Sequence, residues 1–135
     1  MKGAVAYLNF DGNCSQAMKV YERCFGGELT LMPFSQSPGD FPQEAKNRVM
    51  HARLAKGASV VLMASDVMPG QPFAQGSNFF IMVPCDSVEE IDRLFNALGE
   101  KGQILMPLSN TFWAARFGMV KDRFGVSWML NFEKA

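Results

Sequence analysis

Apolar and polar positions run through this chain in two rounds of the same order. Residues 3–10, GAVAYLNF, predict a strand that Asp11-Gly12 ends. Asn13 predicts a helix cap, with Gln16 three residues on as a variant of the capping box. Behind it Cys14, Ala17, Met18, Tyr21 and Phe25 recur at three- and four-residue steps, one apolar helical face. Gly26-Gly27 stops that helix. GELTLMPF predicts the next strand, SQSPGDFPQEAK a polar loop, and NRVMHARLA and ASVVLMASD two more strands with a tight turn at Lys56-Gly57.

After the loop DVMPGQPFAQGS the order starts again. NFFIMVP predicts a strand, Ser87 with Glu90 a capping box, and Ile91, Leu94, Phe95 and Leu98 an apolar helical stripe that Gly99 and Gly102 bracket. QILMPL, TFWAARFGMV and GVSWMLNF are the strands that close the round. Met18, Tyr21 and Phe25 match Ile91, Leu94 and Leu98 at an offset of 73, and Leu31-Met32-Pro33 matches Leu105-Met106-Pro107 at 74. Residues 50–54 match 113–117 at 63, and Gly57 and Ser59 match Gly125 and Ser127 at 68. Four such fragments in order, each on the same predicted element, indicate a duplication. The expected fold class is therefore α+β: tandem βαβββ units, about 3–66 and 77–133, within a single domain spanning 1–135.

Composition narrows the partners. Thirteen basic and thirteen acidic side chains balance, so neither nucleic acid nor an anionic membrane is an expected partner. No segment approaches the roughly 18–20 apolar residues that cross a bilayer. Three widely spaced cysteines, Cys14, Cys24 and Cys85, lack disulfide or zinc spacing. They are expected as small buried hydrophobes in a reducing cytoplasm.

Three blocks, YLNFDGNCSQAMKVYERCFGGEL, HARLAKGASVVLMASD and LMPLSNTFWAARFGMVKDRFGVSWMLNF, resemble the PhnB-like branch of the vicinal oxygen chelate superfamily. That superfamily includes glyoxalase I, bleomycin-resistance proteins and extradiol dioxygenases. The resemblance implies the glyoxalase/bleomycin-resistance fold, an open, curved mixed sheet with both helices outside. Members that are active hold a divalent metal from four places, which fall here near Val5, Val61, Asn78 and Met129. Apolar Val and thioether Met do not replace the anionic oxygen donors of a hard ion, so neither metal nor cofactor is expected.

The candidate site follows from the same register. His51, the single histidine, is the candidate acid–base group, and alternation puts it on one face with Arg53, opposite Met50, Ala52 and Leu54. Tyr7, Asn9, Asn78 and Phe80 are expected on that concave side, with Met63, Met82 and Met129 as flexible lining. Phe112, Trp113, Arg116, Phe117 and Trp128 form an aromatic-plus-arginine cluster suited to a planar or anionic molecule. Only one of Phe112 and Trp113 can line a pocket, and Trp128 is expected in the core. Asp122-Arg123-Phe124-Gly125 is expected to turn the chain into the last strand. Glu89, Glu90, Asp92 and Glu100 are expected to form a solvated helix face.

The expected function is binding of a small organic molecule in a largely apolar cavity, by a homodimer, without a catalytic metal. The alternative is a metal-dependent or His51-assisted lyase, isomerase or dioxygenase of the same superfamily. A methyltransferase label, which relatives have carried, fits poorly: the Gly-rich strand-to-helix turn of a parallel sheet is missing.

Overall fold

A computed structural model of the chain describes residues 1–133. It divides into two compact units, Met1–Ala74 and Gln75–Ala135. The first contains β1 (Tyr7–Phe10), α1 (Cys14–Phe25), β2 (Glu28–Pro33), β3 (Val49–Lys56) and β4 (Ser59–Asp66). Two single turns of 3-10 helix, Phe34–Gln36 and Gln43–Ala45, sit in the loop between β2 and β3. The second contains β5 (Ile81–Pro84), α2 (Val88–Gly99), β6 (Gln103–Ser109), β7 (Ala114–Lys121) and β8 (Ser127–Glu133). Strand order is β1-β4-β3-β2 in one sheet and β5-β8-β7-β6 in the other, so the two units share one topology. In each, the first strand runs parallel to the last and the other neighbours are antiparallel.

Each sheet has one face packed under its helix. In the first unit Leu8, Phe10, Ala52, Leu54, Leu62 and Ala64 are buried with the Ala17, Met18, Tyr21 and Cys24 stripe of α1. In the second, Ile91, Leu94, Phe95 and Leu98 of α2 are buried with Val120, Trp128 and Leu130. A large apolar side chain buried this way contributes about 1.5–3 kcal/mol relative to exposure, so the two stripes are what fix each helix on its sheet. Gly118 lets α2 sit close: a Cβ there would press on the Phe95 ring and the Leu108 side chain. Gly27 and Gly102 do a similar job at the start of β2 and β6, where a Cβ would collide with the backbone carbonyl of Ala55 and Lys121.

Several predicted boundaries move. β1 begins at Tyr7 rather than residue 3, and β5 at Ile81 rather than Asn78. The partner of Ile81 is Trp128, and the turn at 122–126 occupies the chain just before β8, leaving Asn78 and Phe79 no strand to pair with. β7 begins at Ala114, not Thr111, because Thr111 Oγ1 and the Thr111 N–H are both bonded to the Ala114 backbone and close a turn there.

The helix caps split. Ser87 Oγ accepts from the Glu90 N–H at 3.1 Å, as the capping box requires, while Glu90 Oε1 takes the N–H of Asp86 rather than that of Ser87. Asn13 makes no side-chain cap bond. Its place is taken from across the unit by Asp66, at the end of β4. Asp66 Oδ1 accepts from the N–H groups of Gly12 and Cys14, and its Oδ2 accepts from the Val49 N–H. A carboxylate at a helix N-terminus meets both unpaired donors and the positive end of the helix dipole, and so displaces a neutral Asn.

Candidate functional site

Alternation along β1, β3 and β4 sends one set of side chains to α1 and the other to an open face. On that face Thr30, Arg53, Met63 and Tyr7 lie side by side across β2, β3, β4 and β1. One row along, Met32 is beside His51 and Asn9 is beside Ser65. The predicted residues Tyr7, Asn9, His51, Arg53 and Met63 are thus brought together on one sheet.

Two polar contacts organise this face. The Tyr7 hydroxyl is 3.1 Å from His51 Nδ1. The two rings also stack, with centroids 5.9 Å apart and planes 27° from parallel. β4 runs between their strands, and the Tyr7 ring reaches across it to β3 between Met63, its direct neighbour, and the small Ser65 one row along. Ser65 Oγ is bonded to Asn9 Oδ1 at 3.4 Å. With Nδ1 engaged by Tyr7, Nε2 is the nitrogen of His51 left to meet another molecule. Tyr7 remains 48% exposed although it is a large aromatic. Arg53 is exposed, and among the described residues it has neither a hydrogen-bond nor an ion-pair partner.

The open face of the second unit is softer. Met82, Met129 and Met119 are neighbours in one row across β5, β8 and β7. Asn131, two residues beyond Met129, carries a buried amide oxygen with no hydrogen-bond partner. Sequence reasoning misses Thr30, Ser65 and Asn131; strand parity with Met63 and Met129 is the signal for Ser65 and Asn131, while Thr30 on β2 is found only through its pairing with Arg53. Asn78 and Phe80 are exposed and lie ahead of β5 rather than in it. Phe112 and Trp113 precede β7. Trp113 packs edge-on against Phe117, with centroids 5.4 Å apart, while Phe112 touches Trp113 and is 88% exposed. Trp113 is therefore the one of the pair that leans onto the sheet.

The aromatic-plus-arginine cluster divides in three dimensions: Phe112, Trp113 and Phe117 stay in contact, while Arg116 and Trp128 are engaged elsewhere. Arg116 pairs with Asp92 of α2, so its charge is already met on the helix side, and Asp92 is not simply part of a solvated face. Trp128 is core, with its indole N–H donating to Asp122 Oδ2 at 2.8 Å. Asp122 Oδ1 accepts from the Phe124 and Val126 N–H groups, which builds the turn into β8. The unpaired cation of the candidate site is Arg53 instead.

The metal-binding places of the superfamily do not fit a hard ion here. Val5 and Val61 offer no donor, Asn78 a neutral amide and Met129 a thioether, where such an ion needs anionic oxygens. Among the described residues no group of three or more His, Cys, Asp or Glu could hold a metal. The three cysteines are buried free thiols. Burial, and then the charge of Asp66, push Cys14 up to about 12; burial, Glu90 and Asp86, against Arg93, push Cys85 up to about 11. Neither is a ready nucleophile at neutral pH. Among the described residues no helix is long and apolar enough to cross a membrane.

Comparison with known proteins agrees along nearly the whole chain. A family model described as 3-demethylubiquinone-9 3-methyltransferase matches residues 2–131. Protein YjdN of Escherichia coli K12 is 37% identical over 139 residues, covering 95% of this chain and 93% of that protein. The crystal structure of protein PA1353 from Pseudomonas aeruginosa matches with 46% identity and a TM-score of 0.91, covering 100% of both chains. The PhnB protein of Bacillus cereus matches with 27% identity and a TM-score of 0.76, over 97% of this chain and 99% of that one. A glyoxylase/bleomycin resistance protein/dioxygenase domain from Frankia, 10% identical with a TM-score of 0.69 over 99% of each chain, shares the fold alone. With the repeat, the topology and these matches in agreement, the chain belongs to the family described as 3-demethylubiquinone-9 3-methyltransferase, has a PhnB protein among its relatives, and shares the glyoxalase/bleomycin-resistance fold.

Proposed function

We propose that this protein binds a small organic molecule on an open sheet face and does so without a catalytic metal ion. The observation that carries this is the Tyr7–His51 pair, two polar aromatic rings stacked and hydrogen-bonded to each other on the face that no helix covers. A sheet face with no partner favours polar, solvated side chains, whereas this one gathers Tyr7, Met32 and Met63 around a few fixed polar groups. That mixture is the usual make-up of a small-molecule site. The open face of the second unit carries its own adaptable apolar row, Met82, Met129 and Met119.

Methyl transfer, which the family description names, is not part of this reading. The turn from β1 into α1 is Asp11-Gly12-Asn13, and the N–H groups of Gly12 within it and Cys14 just after it are taken by Asp66 rather than offered to a cofactor. We propose further that the chain pairs with a second copy. Phe112, Trp113, Ile104 and Leu105 are all exposed around β6 and the start of β7, and β6 is an open sheet edge.

Two measurements on untagged protein test the main proposal. Native mass spectrometry directly after purification is expected to show a bound small organic mass that His51→Gln weakens. Equimolar nickel, zinc, cobalt or manganese is expected to leave thermal stability unmoved. A metal present at 100 times its Kd would add about 2.7 kcal/mol, several degrees, and a saturable shift of that kind would overturn the metal-free reading.

A further inference from the structure

The first unit's open face also points to the chemical class of its ligand. β3 is an interior strand, so Arg53 stands in the middle of the sheet with Thr30 on one side and Met63 on the other. An arginine in such a place ordinarily meets an acid on a neighbouring strand. The acids near this sheet are engaged or displaced. Asp66 faces α1 and holds three backbone N–H groups. Asp11 pairs with Arg48, and Glu22 accepts from the Leu29 N–H. Glu28 shares the face but stands beside Ala55, and it forms no ion pair with Arg53.

The free guanidinium is next to an aromatic shelf. His51 and Arg53 are two residues apart on one strand, about 6–7 Å along it, and share a face. Tyr7 stacks on the imidazole, its ring offset by the 5.9 Å between centroids, and holds Nδ1 through its hydroxyl, so the two rings are fixed as one aromatic unit. A guanidinium is a planar fork that matches two carboxylate oxygens, and a ring shelf favours a flat body of similar width. Resting on the small-molecule reading above, we infer that Tyr7, His51 and Arg53 form a binding site for a small planar organic carboxylate. Arg53 takes the carboxylate, the Tyr7–His51 pair stacks on the planar body, and His51 Nε2 meets a polar substituent on it. Thr30, beside Arg53, supplies a hydroxyl to the same oxygens.

The test uses the full-length protein, with 2-naphthoate and its neutral amide, 2-naphthamide, as probes in an NMR titration. Naphthoate is expected to give saturable shifts at Tyr7, Thr30, His51 and Arg53, with naphthamide at least about tenfold weaker, as loss of a charge-assisted pair implies. Arg53→Gln should lower naphthoate affinity by about tenfold or more and leave naphthamide unchanged, with Arg53→Lys between, since it keeps the charge without the fork. His51→Gln should weaken both probes alike, because it removes part of the shelf. Equal binding of the two probes at this face, or naphthoate indifferent to Arg53→Gln, would overturn the carboxylate assignment and leave small-molecule binding standing. Shifts from neither probe at these residues would remove both.

Discussion

Replacing Asp66 with Ala removes one acceptor that three backbone donors share. Oδ1 lies 2.9 Å from the Gly12 nitrogen and 3.0 Å from that of Cys14, and Oδ2 lies 2.9 Å from that of Val49. Cys14 opens α1 and Val49 opens β3, so a single carboxylate at the end of β4 joins the starts of two elements. The side chain is buried, and water does not simply replace it. Each buried donor left unpaired costs about 1–3 kcal/mol, and loss of the charge at the helix terminus adds about 0.3–1. Allowing for local relaxation, Asp66→Ala is expected to cost about 3–5 kcal/mol. Asp66→Asn should cost less, about 1–2 kcal/mol, because an amide oxygen can still serve Gly12 and Cys14 while the amide NH2 opposes the Val49 N–H. Asp11→Ala is the control: its ion pair with Arg48 is exposed and worth about 0–1 kcal/mol. Urea unfolding followed by far-UV circular dichroism measures all three. An Asp66→Ala cost below about 1 kcal/mol, no greater than that of Asp11→Ala, would refute the idea that this carboxylate holds the helix start.

Met129→Trp should change stability by less than about 1 kcal/mol, because Met129 is on the open face; in packed core the same change costs about 1–3 kcal/mol, and a thermal melt separates the two. Cys14 and Cys85, pushed up to about 12 and about 11 from the ordinary 9.0, should stay unmodified by a thiol reagent at pH 8 until the protein is unfolded. Because the unfolded thiols ionise first, their contribution to stability is complete below pH 9.0 and should fall away between there and about 11–12, which unfolding at a series of alkaline pH values would show. Light scattering at micromolar concentration should give twice the 15.0 kDa chain mass, and a monomeric mass would end the proposal of a second copy.

The repeat and the two helix–sheet cores were legible in the sequence because they rest on periodicity. Ala17, Met18 and Tyr21 recur at helical steps, Ala52 and Leu54 at strand steps, and burial follows those steps directly. The open face of the first unit was legible for the same reason, since strand alternation assigns Tyr7, Asn9, His51, Arg53 and Met63 to the side opposite the core. Strand limits were not. β5 stops short of Asn78 because pairing ends where its partner turns, and a partner's turn is not written in the strand itself. Charge pairing was not legible either. Arg53 and Arg116 look alike in sequence, each among apolar strand residues, but α2 packs over β7 and brings Asp92 to Arg116, while among the described residues no acid pairs with Arg53. The helix cap shows the division most clearly. Asn13 satisfies the local rule, yet Asp66 lies 52 residues away from Cys14 and holds the position. Local sequence determines which groups will need a partner. Only the folded register decides which distant group arrives, and a buried carboxylate outcompetes a neutral amide for the same N–H.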